Sequence, residues 1–576
     1  MSGNSLRVWV YDDGEKINPV NGNLWHANQN IYGGPVAGDH RGQNRVWDGA
    51  SRTVNLRAAR NEVVAFQVVI EAGAEALSGV NVKVEGDLEA TVNLFRERYV
   101  PIAGYWYADP LVPFEAPGAV PFDIPDSECG IEGQRNQAVW VDVYVPPDAS
   151  PGQREAAVVV TAEGQQEVRL RLLLDVIPIT LPTEVHVDCD LNTYGNFMLK
   201  MAGTEDHTSA ECRAVERRYL QLAHDHRATL SITPYTQGGE VYPGFAPPLT
   251  GEGSAMRVTD WSDYDAHLGP YFDGSAFEDC LLPARPASHA YLTFNLDWPC
   301  SFKHYGTDRY REENQAVARQ IVAHAKEKGW TATEFQIYYN EKPSFGHFPF
   351  EMDEPRTQQD LDALAYVSGV IRPAIADCSP ARFVFRMDIT EYDWLEPQLG
   401  DKIDLFNVSA GIDLTFAPWH RVWRQTSGWY NIPSIQMHQA QGARAWFYGG
   451  AGRIDFNLLV NRRYAHRAWR WRADGFCLWC ADWWGSGDPW TSGELGHRGF
   501  DFIYYPGKAV GVDGPLPSLR LKALRRGLQD YEYMWLLSRK HEGGRLAADA
   551  LLCDDQDTNT RSWDAALDRI VDSLLK

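Results

Sequence analysis

Asp353 and Glu354 are adjacent carboxylates that close an apolar run, Phe348-Pro349-Phe350-Glu351-Met352, and are followed by Pro355 and a helix-patterned stretch from Thr357. One reading of Asp353-Glu354-Pro355 is a helix start, since Asp caps, acids favour the first turn and Pro suits the first helical position. The other reading is chemical, and both can hold at a strand-to-helix junction. Glycosidic cleavage needs an acid to protonate the leaving oxygen and a group that stabilises an oxocarbenium-like centre. Usually two carboxylates flank the bond, about 5–9.5 Å apart. Sequence neighbours are badly placed to attack from opposite faces but well placed for substrate assistance. In that chemistry the sugar's own 2-acetamido oxygen attacks C1. One carboxylate orients and polarises the amide N–H, and the other serves as acid, then base. A neighbouring anion keeps the acid protonated near neutrality by like-charge repulsion.

Such a pair needs a scaffold, and the patterning supplies one. From Leu6 to about Thr180 the chain is β-branched and roughly alternating, as in Val63–Ile70, Ala138–Val145, Glu155–Thr161 and Glu167–Val176. Pro146-Pro147 and Pro151-Gly152 mark turns, and helical periodicity is nearly absent, so residues 1–182 predict an all-β sandwich. Beyond Ile177-Pro178-Ile179-Thr180-Leu181-Pro182 the pattern becomes alternating strands and helices. Strand-like runs begin at Val185, Thr229, Ala290, Glu334, Arg382, Ile403, Ala443 and Gly475, with helical stretches at 210–226, 313–328 and 357–375 among them. Eight β/α units predict a (β/α)8 TIM-type barrel over 183–515. Residues 516–576 predict a C-terminal helical extension, with Trp563, Leu567, Ile570, Val571 and Leu574 forming a helical stripe.

A barrel displays its chemistry where the strands end. The residues just past each proposed strand include Asn192, Tyr194, Tyr235, Gln237, Asp297, Trp298, Asn340, Asp388, Asp482 and Trp483, and Asn295 and Trp479 stand near the ends of theirs. Of these, Asn192, Tyr194, Gln237, Asn295, Trp298, Asp388, Trp479 and Asp482, with Arg386 and Tyr448, are candidate substrate contacts. Arg386 and Asp388 share one side of their strand and fit either sugar binding or a salt bridge at the barrel mouth. The chain holds 21 Trp, 26 Tyr and 23 Phe, so aromatics reach 12%, which suits the apolar faces of sugar rings as well as a core.

The order of motifs resembles glycoside hydrolase family 123. The sandwich carries Leu56-Arg57-Ala58-Ala59-Arg60-Asn61-Glu62 and Ala65-Phe66-Gln67-Val68-Val69-Ile70. The barrel carries Leu191-Asn192-Thr193-Tyr194-Gly195, Pro234-Tyr235-Thr236-Gln237-Gly238, Asp297-Trp298-Pro299, Asp353-Glu354-Pro355, Trp446-Phe447-Tyr448-Gly449 and Arg472-Ala473-Asp474-Gly475. The closing segment, Ser518-Leu519-Arg520-Leu521-Lys522-Ala523-Leu524-Arg525-Arg526-Gly527-Leu528-Gln529-Asp530-Tyr531-Glu532-Tyr533, is the most specific match. The resemblance implies a retaining, exo-acting β-N-acetylgalactosaminidase that uses substrate assistance. It implies Asp353 as the residue that orients the acetamido group and Glu354 as general acid/base, with Tyr448 a candidate to hold the acetamido oxygen. Two alternatives stand beside it. One is a glycosidase for a sugar without a 2-acetamido group, using Asp388 or Asp482 as the second carboxylate. The other is a non-catalytic carbohydrate-binding protein.

Other classes are disfavoured. With 54 Lys+Arg against 77 Asp+Glu the net charge is −23, which argues against duplex nucleic-acid binding. No run of 18 apolar residues predicts a membrane span. No P-loop, dinucleotide or nucleophile-elbow motif occurs. His224-Asp-His226 and Cys477-Leu-Trp-Cys480 lack the surroundings of metal or redox sites, so neither metal nor organic cofactor is expected. As written, without a signal-peptide pattern, the chain predicts a cytoplasmic protein, or a secreted one if a signal has been removed.

Overall fold

The computed structural model describes residues 6–25, 39–236, 238–292, 302–345, 348–390, 398–409, 436, 439–485, 487–490, 499–540, 542–554 and 557–576. Two compact units emerge. The first comprises 1–186, 451–466 and 484–576, and the second 187–450 with 467–483. The C-terminal helices therefore group with the sandwich, and the segments 451–466 and 484–515, expected within the barrel, do so as well.

Two sheets build the first unit. One is antiparallel in the order Leu6–Asp12, Glu62–Ala72, Asn136–Val145, Thr91–Ile102, Tyr105–Pro113. The other runs Trp47–Asp48, Thr53–Arg60, Val168–Thr180, Gly152–Thr161, Leu77–Glu85, Phe122–Ile124. Their apolar faces, including Val68, Ile70, Val139, Val141, Val158, Leu172 and Leu174, form one core. Strand Asn136–Val145 is buried along its whole length, because helix Leu519–Lys540 covers its other face. Leu519 and Ala523 of that helix join Trp140 and Ala65 in a second apolar cluster. Asp142, on the same strand, accepts from Lys522 at 2.7 Å and from Arg525 at 2.6 and 3.0 Å, so the basic residues of this helix are spent inside the protein.

In the second unit all eight expected barrel strands are present: Asp188–Tyr194, Thr229–Thr233, His289–Leu292, Glu334–Tyr338, Arg382–Ile389, Leu405–Ser409, Arg444–Gly449 and Gly475–Leu478. They are parallel, in the hydrogen-bonded order second, first, eighth, seventh, sixth, fifth, fourth, third. The backbone ladder is open between the second and third strands. Side chains span that seam, where the hydroxyls of Thr229 and Ser288 lie 3.0 Å apart.

The barrel interior is polar and is tied together by Arg386, which is 1% exposed. Its guanidinium donates to Asp388 at 2.7 and 3.0 Å, to Gln336 at 2.9 Å and to Asp190 at 3.2 Å. It also lies 4.9 Å from the ring centroids of Tyr291 and Tyr338 and 5.3 Å from that of Trp446. A buried cation persists only when paired and hydrogen-bonded, and here the fourth, fifth and first strands supply the partners.

Candidate active site

The fourth strand ends at Tyr338, and helix Gln358–Ile375 does not begin until twenty residues later. Its N-cap is Thr357, whose hydroxyl accepts from Asp360 N–H at 3.3 Å while Asp360 accepts from Thr357 N–H at 2.8 Å. This capping box corrects the helix-start reading of Asp353-Glu354-Pro355. The pair lies ahead of the helix, and capping does not consume its carboxylates.

Asp353 is 8% exposed and accepts from Tyr338 Oη at 3.1 Å, while its other oxygen lies 3.0 Å from Lys342 Nζ. The same ammonium lies 3.4 Å from Glu354 Oε2, so one cation serves both carboxylates. Tyr448 Oη donates to Glu354 Oε1. Burial raises the Asp353 carboxyl to about 7, with Lys342 opposing the rise and Glu354 and Asp388 adding to it. Burial also lifts Tyr448 well above its ordinary range, with Glu354 adding, so that phenol stays a donor.

Glu354 has φ +55°, a left-handed conformation unusual for a residue with a side chain. Its N–H donates to Asp388 O at 3.1 Å, which hooks the loop onto the fifth strand. Backbone strain of this kind concentrates where function over-determines geometry.

The remaining candidates divide by surroundings. Tyr194 is a junction: its hydroxyl accepts from Asn340 Nδ2 at 3.2 Å and from Trp479 Nε1 at 3.4 Å, linking the first, fourth and eighth strands. Trp479 and Trp483 are half-buried, with rings tilted at 5.2 Å. Asn192 is buried and donates to Thr233 Oγ1 at 3.2 Å. Asp388 has both oxygens on Arg386, one of them also on Asn407 Nδ2 at 2.7 Å, which is the salt-bridge arrangement. Asp482 accepts from Thr193 Oγ1 at 2.6 Å, and burial pushes it up to about 7. Gln237, Asn295 and Trp298 lie outside the described residues.

Sequence reasoning missed Lys342, Tyr338 and Glu341. Glu341 and Lys342 come shortly after the fourth strand, beyond Tyr339 and Asn340, and for Lys342 a cation one loop away from a carboxylate pair was the available signal. Tyr338 reads as an ordinary strand aromatic, so nothing in its type marks it. Among the described residues no cluster of His, Cys, Asp or Glu has the makings of a metal site, and no helix is long and apolar enough to cross a membrane.

Comparison with solved structures gives a likeness along the full length of the chain. A family 123 glycoside hydrolase from Clostridium perfringens superposes with a TM-score of 0.65 over 99% of this chain and 98% of that one, at 14% identity. The motif resemblance thus extends to the fold along nearly the whole sequence. A family 5 xyloglucanase from Bacteroides ovatus (9% identity, 83% of this chain, 98% of that one) and an endo-β-1,4-mannanase from Thermotoga petrophila (10%, 61% and 77%) both align at a TM-score of 0.32, too low to argue from. No family profile matches, and no curated protein does.

Proposed function

We propose that the protein is a retaining, exo-acting glycoside hydrolase that removes terminal β-linked N-acetylgalactosamine with the 2-acetamido group as nucleophile. The observation that carries this reading is the Asp353–Glu354 pair itself: two neighbouring carboxylates on one loop, bridged by Lys342. That is the arrangement suited to acting on two adjacent substrate groups rather than on opposite faces of a ring. In the first step the acetamido oxygen bonds to C1 as the glycosidic C1–O bond breaks. Glu354 gives its proton to the leaving oxygen, and Asp353 accepts the amide N–H, stabilising the oxazoline-type intermediate. In the second step Glu354 takes a proton from water, whose oxygen bonds to C1, and the acetamido group is restored. Tyr448, held on Glu354 in the resting protein, swings its donated hydrogen bond to the acetamido oxygen. The fold likeness to the Clostridium perfringens enzyme supports the reading.

The rival in which Asp388 attacks directly is disfavoured by its two-pronged bond to Arg386. Asp482 remains as a test arm. The decisive assay runs the 4-nitrophenyl β-glycosides of N-acetylgalactosamine, N-acetylglucosamine and galactose side by side. Release from the first and not from galactose is expected. Comparable release from galactose, lost in Asp482→Asn, would overturn substrate assistance. Silence on all three would favour a binding protein. Glu354→Gln should lose about 10²–10⁴-fold in kcat/KM on poor leaving groups and less on 4-nitrophenol. Asp353→Asn should be impaired on both, and near-wild-type turnover would remove Asp353 from its role.

A further inference from the structure

Glu341 stands directly after Asn340 at the end of the fourth strand and is 1% exposed. Its carbonyl accepts from Met352 N–H at 3.0 Å, fixing the residue that precedes Asp353, and its other neighbour, Lys342, contacts both carboxylates of the pair. Residues 340–342 and 352–354 are thus clasped together. Yet both oxygens of the Glu341 carboxyl are enclosed without a hydrogen-bond partner among the described residues.

We propose that Glu341 is a positioning residue for the pair: held as a neutral carboxylic acid beside Asp353, it spares the site a second buried negative charge and so leaves Asp353 able to be the anion that the acetamido N–H requires. The inference rests on the catalytic reading above and extends it to a carboxyl outside the Asp-Glu motif. The charged group that bears on it is Asp353; Lys342 and Glu354 join Asp353 in the clasp, Arg386 and Asp388 are bound to each other on the fifth strand, and Tyr338 and Tyr448 donate to Asp353 and Glu354. Arg386 is committed to Asp190 and Asp388, which leaves the charge of Lys342 to be divided among the carboxyls. A carboxylate without donors is the least stable ion of such a set, so a shared proton rests there first. Burial raises Glu341 to about 8; the amides of Asn340 and Glu341 oppose this without closing a hydrogen bond, and Asp353 adds to it. Were Glu341 the first of the two to ionise, like-charge repulsion would keep the shared proton on Asp353 and the orienting anion would be lost.

The isosteric variant Glu341→Gln makes that position permanently neutral. Two measurements on the whole chain decide the matter. In infrared difference spectra the wild type should show protonated-carboxyl signal that is lost as pH rises from 7 to 9, and Glu341→Gln should lack one carboxyl's share of it, keeping what Glu97, Asp353 and Asp482 contribute; a signal of undiminished size overturns the proposal. With 4-nitrophenyl β-N-acetylgalactosaminide, the variant should keep kcat/KM within about threefold of wild type near pH 6.5. Its acidic limb should stay within about half a pH unit of the wild type's, because the position is neutral in both while Asp353 titrates. A limb moved to lower pH by about a unit or more would mark Glu341 as an anion in the wild type and overturn the proposal, and a large uniform loss at every pH would mark a merely structural role and overturn it too. If the wild type turned over no glycoside, the catalytic reading would fall while the infrared comparison still decided the state of Glu341. Glu341→Met, which is neutral and of similar length, serves in the same spectra if the Gln variant does not fold.

Discussion

At Glu354 the backbone and the side chain have different demands. A φ of +55° suits glycine, yet a carboxylate stands there, tied to Tyr448 and facing Lys342. Glu354→Gly should therefore be more stable than Glu354→Ala by about 0.5–1 kcal/mol, read from denaturant midpoints, although both lose the carboxyl. Asp353 carries a comparable cost in its proton. Its carboxyl is near 3.8 when unfolded and is raised to about 7 when folded, so the folded state binds more protons between those values and stability falls as pH climbs through that window. Asp353→Asn removes this dependence and should be more stable than wild type by roughly 1–3 kcal/mol at pH 8, with the gain disappearing by pH 4. Equal stability at both pH values would mean that Asp353 is not strained by burial. Removing Lys342 takes away the cation that opposes the rise, so Lys342→Met should move the acidic limb of the activity profile to higher pH. The carboxylate pair could be recognised from residue type and order. Lys342 offered only the signal of a nearby cation and Glu341 none, because the clasp depends on a hydrogen bond from Met352 that folds one stretch of loop onto another.

Strand spacing was well written in the sequence, since β-branched runs alternate with helical ones and all eight barrel strands stand where the pattern puts them. What periodicity hides is how tightly two strands approach. Gly475, in the quoted Arg-Ala-Asp-Gly motif, sits so close to the seventh strand that a Cβ would lie 2.5 Å from Trp446 Nε1 and 2.8 Å from Asp188 Cβ. Gly475→Ala should cost about 1–3 kcal/mol and disturb the Trp446 face on which Arg386 rests. Sequence reasoning also put the cap of the fourth barrel helix at the wrong residue. Asp353 has the right type, but Thr357 and Asp360 have the reciprocal spacing that a capping box needs. Strand Asn136–Val145 shows a related limit. Its unbroken burial reflects a helix hundreds of residues away in sequence, and no local pattern announces that Asp142 will neutralise Lys522 and Arg525. Those cations hold the Asp142 carboxyl far below its ordinary range despite burial. Its contribution to stability is complete above the unfolded carboxylate range and fades as pH falls below about 4. Asp142→Ala should destabilise by about 3–5 kcal/mol at neutral pH, because two buried cations lose their partner. Thermal unfolding followed by circular dichroism checks this.

For the molecule as a whole, composition argued against nucleic-acid and membrane-spanning classes, and pattern plus motif order gave a sandwich followed by a barrel, a fold shared along its length with the Clostridium perfringens enzyme. The assignment of the C-terminal residues was harder to read, because a helix-patterned segment does not state which body it will cover. The first unit takes in 1–186 and then nothing until 451–466 and 484–576. On a ribosome the sandwich strands are therefore finished early and completed late. The apolar side of Asn136–Val145 and the charge of Asp142 must wait through the synthesis of 187–450 before Leu519, Ala523, Lys522 and Arg525 arrive to cover them. Nascent chains halted before residue 519 will present a sticky, half-charged surface to whatever folding helpers attend them, while release of the finished chain closes it in a single docking event.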